Sequence, residues 1–86
     1  MKICEESDKI KLTKTEMDFC KVAKCGFIAR DKDGKLFVFN DLPIKLVTTW
    51  CNFYYTRKEL ESEYFSFITW KDEPWDIQDL LKLEIK

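Results

Sequence analysis

Apolar residues on either side of a short polar turn predict a β-hairpin over residues 26–39. Two short apolar runs flank the sequence Asp-Lys-Asp-Gly, in which Gly34 can adopt the left-handed backbone conformation of a tight turn. The side chain of Asp31 can hydrogen-bond within its own turn. We therefore expect the rest of the chain to be organised around this hairpin.

The second strand of the hairpin carries apolar residues on both faces. Alternation along a strand points Leu36 and Val38 to one face and points Phe37 and Phe39 to the other. A strand with one face in water would alternate apolar with polar residues, and this strand does not. The sequence therefore predicts a sheet that other parts of the chain cover on both sides.

A helix is predicted to begin after Thr13. Thr13 and Glu16 form a capping box, and Leu12 with Met17 occupies the positions of a hydrophobic staple. Gly26 lies where a left-handed residue would end the helix. The expected apolar face consists of Phe19, Cys20, Val22 and Ala23.

Two further strands are predicted after the hairpin. Residues 44–51 are rich in β-branched and aromatic side chains, which favours a third strand. Residues 64–70 alternate in the same way and are interpreted as a fourth strand. Between them, residues 54–63 are charged and lack a clear period. They are interpreted as a loop or as a short helix in which Thr56 and Glu59 form a second capping box.

A short helix is predicted near the C-terminus. Asp76 or Glu73 can cap it, and Ile77, Leu80 and Leu81 follow the helical period. Together the segments predict an α+β fold with an N-terminal helix, an antiparallel sheet of three to four strands built on the 26–39 hairpin, and a short C-terminal helix.

The length of 86 residues is that of one domain, residues 1–86. Residues 1–11 are polar and are expected to form either a frayed arm or an extended edge segment. With 45% hydrophobic and 36% charged residues, the chain contains no apolar run near the roughly 20 residues that span a bilayer. Because the N-terminus also lacks the apolar segment of a signal peptide, we expect no membrane association and a cytoplasmic location.

The cysteines and the absence of histidine bear on catalysis. The four cysteines, Cys4, Cys20, Cys25 and Cys51, lack the close Cys-x-x-Cys pairs of structural zinc sites. We therefore expect buried, reduced thiols and no metal or other cofactor. Without His, the chain lacks the commonest general base, and a Ser-His-Asp or Cys-His device is impossible. The sequence indicates a protein that is not an enzyme.

Charge and aromatic content indicate a binding role. The net charge is −1, and residues 57–86 hold five basic residues against eight acidic ones, which favours a basic protein partner over nucleic acid. Seven Phe, three Trp and three Tyr are more rings than a small core usually hides. The residues predicted to bind a partner are Trp50, Phe53, Tyr54, Tyr55, Arg57 and Trp75.

Several motifs of the chain are distinctive in combination. They are Leu12-Thr13-x-x-Glu16, Ile28-Ala29-Arg30-Asp31-Lys32-Asp33-Gly34-x-Leu36-x-x-Phe39, Pro43-x-Lys45, Trp50 and Phe65-x-Phe67-Ile68-x-Trp70-x-Asp72-Glu73-Pro74-x-x-Ile77. This combination resembles a group of small uncharacterised proteins encoded by phages and prophages of Gram-positive bacteria. The resemblance implies the cytoplasm of a bacterial host cell as the setting. It implies no activity and transfers no catalytic residue.

The leading hypothesis is a small phage-derived protein that binds a host or phage protein and catalyses no reaction. Formation of a homo-oligomer is a variant of the same hypothesis. The alternative is an accessory protein that binds single-stranded nucleic acid, because aromatic residues interleaved with basic residues can stack on bases. The acidic C-terminal third makes nucleic acid the less favoured partner.

Overall fold

The computed structural model describes residues 10–51 and 57–86, and it confirms the predicted α+β class. Short strands and two helices alternate along the chain. In chain order the elements are β1 (Lys11–Leu12), α1 (Lys14–Ala23), β2 (Phe27–Arg30), β3 (Leu36–Phe39), β4 (Ile44–Lys45), β5 (Trp50–Cys51), β6 (Lys58–Leu60), β7 (Trp75–Asp76), α2 (Ile77–Leu80) and β8 (Glu84–Ile85).

The main sheet has four antiparallel strands in the order β6-β3-β2-β7. The predicted hairpin is confirmed as its centre, with Ile28 opposite Val38. Gly34 has a φ of 97° and its N–H donates to the Asp31 carbonyl at 3.0 Å. The Asp31 side chain does not close this turn as predicted. Asp33 does so instead, because its carboxylate accepts the Lys35 N–H at 3.0 Å.

Each face of the sheet is covered, as the pattern of β3 predicts. On one face, Leu36 and Ile28 are buried against the two helices. On the other face, Phe37 and Phe39 are buried against Trp50, which belongs to the separate β4–β5 hairpin. The sheet therefore lies between a helical layer and a small second hairpin.

Helix α1 has the predicted N-terminus but a different C-terminus and face. The Thr13 hydroxyl accepts the Glu16 N–H at 3.1 Å, and the Glu16 carboxylate accepts the Thr13 N–H at 2.8 Å, so the capping box is confirmed. Lys24, with a φ of 69°, ends the helix instead of Gly26. Val22 was expected to be buried but is 81% exposed, because it lies on the solvent side of the helix.

The predicted third strand over residues 44–51 is wrong as a continuous strand. The chain reverses at Val47 and Thr48, and the Leu46 N–H donates to the Thr49 carbonyl at 2.8 Å. Strands β4 and β5 therefore pair with each other as a second hairpin, with Ile44 opposite Cys51.

The segment 54–70 also differs from its prediction. The charged residues Lys58–Leu60 form strand β6 and pair with β3, whereas residues 64–70 form successive turns instead of a strand. The proposed cap at Thr56 lies outside the described residues. A charged sequence is compatible with β6 because β6 is an edge strand, where one side remains in water.

A buried carboxylate and a half-buried guanidinium hold the turns at 61–69. The Glu16 carboxylate accepts the Phe65 N–H at 2.5 Å, and the Arg30 guanidinium donates to carbonyl oxygens of this segment. Phe65 adopts a φ of 49°, which a strand does not contain. The backbone groups that a fourth strand would use are therefore taken by side chains from the helix and the hairpin.

The C-terminal segment follows the prediction more closely. Asp76 caps α2, and its carboxylate accepts the Gln78 N–H at 2.9 Å. Ile77 and Leu80 are buried against α1 and the sheet. Strand β8 then pairs in parallel with β1. Within the part of the chain that the structure describes, no helix has the length and apolar character needed to cross a membrane.

Candidate protein-binding surface

Four aliphatic side chains on and beside strand β4 are exposed to solvent. Leu42 is 63% exposed, Ile44 63%, Leu46 47% and Val47 88%. Leu42, Ile44 and Leu46 alternate with Pro43, which is buried, and with Lys45, which is exposed but bonds to the Trp70 carbonyl. The three aliphatic side chains therefore lie on the outer side of an extended segment. We call these four residues the aliphatic ridge. Single exposed apolar residues are ordinary, whereas a contiguous group of them marks an interaction surface.

The inner side of the same hairpin is fixed by the Trp50 ring. Trp50 is only 5% exposed and packs with Phe37, Phe39 and Ala29. The Trp70 ring meets it edge to face, with 6.1 Å between ring centroids. The large rings therefore face the sheet, and the ridge faces away from it.

A buried carboxylate fixes the backbone of β5. Asp31 is 5% exposed, and its two oxygens accept the Trp50 N–H at 2.9 Å and the Thr49 hydroxyl at 2.5 Å. The Arg57 guanidinium donates to Asp31 at 3.1 Å and also to the Trp50 carbonyl at 3.0 Å. Asp31 thus joins the turn of the central hairpin to β5, and Arg57 neutralises the buried charge.

Strand β4 is held by Lys45. Its ammonium group donates to the Trp70 carbonyl at 2.9 Å and lies 4.2 Å from the centroid of the Trp70 ring. A cation in this position over an aromatic face is attracted by the ring quadrupole. In addition, the Lys32 N–H donates to the Thr48 carbonyl at 3.1 Å, next to the ridge. The backbone that carries the ridge is therefore anchored at several points before any partner binds.

The structure does not support Trp50 as a residue on a partner-binding surface. Its ring is in the core, because it is the largest apolar group available to cover Phe37 and Phe39. Arg57 is engaged with Asp31, and its guanidinium lies 3.9 Å from the centroid of the Phe37 ring. Both residues hold the hairpin in place, and a binding role for Arg57, which is exposed, stays a prediction.

The other predicted binding residues have different positions. Trp75 is half-buried and meets Phe67 edge to face at 5.1 Å, far along the sequence from the ridge. Phe53, Tyr54 and Tyr55 lie outside the described residues.

The ridge residues were missed because they were assigned to a strand that would be buried. Residues 44–51 contain no Gly, Pro, Asn, Asp or Ser, so the local sequence carries no signal for the turn at Val47 and Thr48.

The cysteines do not share one environment. Cys20 is buried in the core, and burial, followed by the nearby Glu16, raises the pKa of its thiol to about 11. Cys51 is half-buried, whereas Cys25 is exposed, so the prediction of buried cysteines is wrong for Cys25. Cys4 lies outside the described residues. Among residues 10–51 and 57–86, no three Cys, Asp or Glu side chains are grouped so that they could hold a metal ion.

The fold and this surface define a small α+β protein with a preorganised aliphatic ridge. No family model matches the chain, and comparisons with curated proteins and with solved structures find no match. The geometry of the surface is therefore the basis of the functional argument.

Proposed function

We propose that this protein acts by binding another protein through the aliphatic ridge and catalyses no reaction. The observation that carries the proposal is the contrast between the two sides of the β4–β5 hairpin. Its inner side is anchored by Asp31, Trp50 and Lys45, and its outer side exposes Ile44 and Val47 to water. A rigid apolar surface loses little conformational entropy on binding, which favours association.

The shape of the ridge indicates the chemistry of the partner surface. Alternate residues of an extended chain are separated by roughly 6.6–6.8 Å, so Leu42, Ile44 and Leu46 form a narrow row. A narrow apolar row fits an apolar groove better than it fits a flat surface. We therefore assign as the partner a different protein whose groove encloses the ridge, in preference to a second copy of this chain.

Single-stranded nucleic acid is the second candidate partner. Stacking on bases requires accessible rings next to free cationic groups. Trp50 is buried and Arg57 bonds to Asp31, so two of the residues predicted for this role are already engaged within the protein. This engagement supports the protein partner over nucleic acid.

The resemblance to phage and prophage proteins suggests where the partner is found. We propose a host or phage protein in the cytoplasm of a Gram-positive bacterial cell. A photo-crosslinking amino acid placed at Val47, which is 88% exposed, would join the ridge to a partner that encloses it. The crosslinked protein can then be identified by mass spectrometry, purified and titrated against the wild-type chain by calorimetry.

The decisive comparison uses three aspartate variants. Ile44→Asp and Val47→Asp should each weaken binding of the purified partner at least tenfold, because a charge would be desolvated in the interface. Val22→Asp is the matched control, since Val22 is 81% exposed on α1 and lies outside the ridge. Equal binding by all three variants would contradict the proposal. Binding of a single-stranded oligonucleotide that weakens steeply with salt and is insensitive to Ile44→Asp would support the alternative.

A further inference from the structure

A second candidate surface lies on the opposite side of the sheet from the ridge. A groove of about 250 Å³ runs between helix α1 and the edge strand β6. Its apolar walls are Phe19, Leu60 and Tyr64, which are half-buried, and Phe65, which is buried. The Phe19 and Phe65 rings meet edge to face at 6.2 Å, which defines the shape of the wall.

The volume of the groove limits what it can accept. Sites for small molecules and cofactors usually enclose about 300–1,000 Å³, and this groove is below that range. One large apolar side chain is the ligand of matching size. The groove is therefore suited to the anchor residue of a peptide.

Strand β6 offers a place for the backbone of such a peptide. The Asp31 N–H donates to the Lys35 carbonyl, so the backbone of Lys35 bonds toward β2. Because the direction of bonding alternates along an antiparallel strand, the N–H and carbonyl of Leu36 point toward β6. The register pairs Leu36 with Leu60, and Glu59 is therefore the residue of β6 whose N–H and carbonyl point away from the sheet. An extended peptide can pair with Glu59 and add a strand to this edge.

The charge of the groove identifies the flanking residues of the peptide. Glu16, Glu59 and Glu61 contribute to its lining, and none of the described residues that line it is basic. The register places Glu59 beside Phe37, so the Glu59 side chain lies on the opposite face of β6 from Leu60. In a peptide added as a strand, the residues on either side of the anchor point to that same opposite face. Both oxygens of Glu16 are already bonded to backbone N–H groups, so Glu59 and Glu61 are the carboxylates that would face the flanking residues of a peptide. We infer that this groove binds an extended peptide segment of another protein, with one large apolar anchor flanked by Lys or Arg.

This inference concerns a surface separate from the ridge and does not depend on the proposed function. The experiment begins with a displayed library of random twelve-residue peptides, selected on the immobilised wild-type protein. The expected result is enrichment of peptides in which Phe, Leu, Ile or Met is flanked by Lys or Arg. Recovery of only acidic or unrelated sequences, or no enrichment above an uncoated surface, would overturn the inference.

The enriched peptide is then synthesised with a fluorescent label and titrated by anisotropy at 0.15 M salt. Thr15→Arg places a long cation at an exposed position that lines the groove, and the double variant Glu59→Lys, Glu61→Lys reverses the two charges expected to meet the flanking residues of the peptide. Each should weaken binding at least tenfold. The charge-matched control is Glu63→Lys, Glu73→Lys, because both residues are exposed and lie outside the groove. It should change binding less than threefold.

Urea unfolding of each variant shows that a loss of binding does not reflect loss of the fold. Equal weakening by the groove variants and the control would show that only net charge matters, and the inference would fail. Ile44→Asp should leave the affinity for the peptide unchanged. If Ile44→Asp abolishes peptide binding and Thr15→Arg does not, the peptide binds the ridge, and the groove inference fails while the proposed function stands.

Discussion

Replacement of Arg30 should be among the most damaging single changes in the described part of the chain. Its guanidinium donates five hydrogen bonds, all to backbone carbonyl oxygens. The shortest runs from Nε to the Ile68 carbonyl at 2.6 Å, and another joins the Gly34 carbonyl of the hairpin at 2.7 Å. The others reach Ser62, Tyr64 and Phe65, so one side chain organises the segment 62–68.

The stability lost on replacing Arg30 depends on the number and type of these hydrogen bonds. A hydrogen bond to a charged group contributes about 1.5–3 kcal/mol, but the contributions within one network do not add. Some of the carbonyls are close to the surface and would be hydrated after substitution, which lowers the cost. We expect Arg30→Met to cost about 3–5 kcal/mol. At roughly 0.05–0.15 kcal/mol per residue, the free energy of unfolding of a chain of 86 residues is about 4–13 kcal/mol, so this loss is a large part of the total.

Arg30→Lys tests whether charge alone suffices. A lysine keeps the positive charge but lacks the planar guanidinium that bonds to several carbonyls at once. We therefore expect the free energy of unfolding to fall by about 2–4 kcal/mol. Urea unfolding followed by tryptophan fluorescence measures both variants. Lys35→Met, at an exposed position of the same hairpin, is the control and should change stability by less than about 0.5 kcal/mol.

Hydrogen exchange separates a local role from a global one. In Arg30→Lys, the amides of Tyr64 and Ile68 should exchange faster, while those of the β2–β3 ladder keep their order of protection. An unfolding free energy of Arg30→Met within about 0.5 kcal/mol of the wild type would refute this assignment of Arg30.

Four further predictions address two glycines, the helix cap and the buried thiol. Gly26→Ala should destabilise the fold by about 3 kcal/mol, because Gly26 has a φ of 119° and its Cβ would lie 2.6 Å from the carbonyl oxygen of the neighbouring strand. Gly34→Ala should cost only about 1–2 kcal/mol, since the added Cβ would enter open space and only the positive φ is strained. Equal urea midpoints for Gly26→Ala and Gly34→Ala would contradict this difference. Glu16→Gln should cost about 1–3 kcal/mol, because the amide oxygen accepts only one of the two backbone N–H groups and the amide nitrogen cannot accept the other, whereas Asp18→Asn on the exposed face should be neutral. For Cys20, the pKa is raised from 9.0 to about 11 in the fold, so stability that is present below pH 9 should fall as the pH rises to 11. Cys20→Ala should show a flatter decline over this window in pH-dependent urea titrations.

The parts of the fold that sequence reasoning predicts correctly depend on contacts between near neighbours. Thr13 and Glu16 are three residues apart, and their reciprocal bonds are fixed once one helical turn forms. Asp76 bonds to the N–H two residues later, and Gly34 determines the conformation of its own turn. No distant segment is needed to identify these features.

The segment 64–70 shows what local patterns cannot predict. Its alternating aromatic and β-branched residues are typical of a strand. In the folded chain, Glu16 bonds to Phe65 across 49 residues, and Arg30 bonds to Tyr64 across 34 residues. The free edge of β3 is occupied by β6, so residues 64–70 have no sheet position there. The tertiary contacts therefore override the propensity.

The error at the ridge has a related cause, which also bears on function. Within residues 42–51, the side of the hairpin toward the sheet accepts only a few side chains, and Trp50 removes the largest apolar area from water there. The smaller aliphatic residues are left on the outer side, where Ile44 and Val47 are exposed. Their branched side chains have few rotamers to lose, so burying them against a partner costs less entropy than burying an exposed Lys or Met. Exposure of these residues follows from competition for the core, and their stiffness makes the exposed surface suitable for binding.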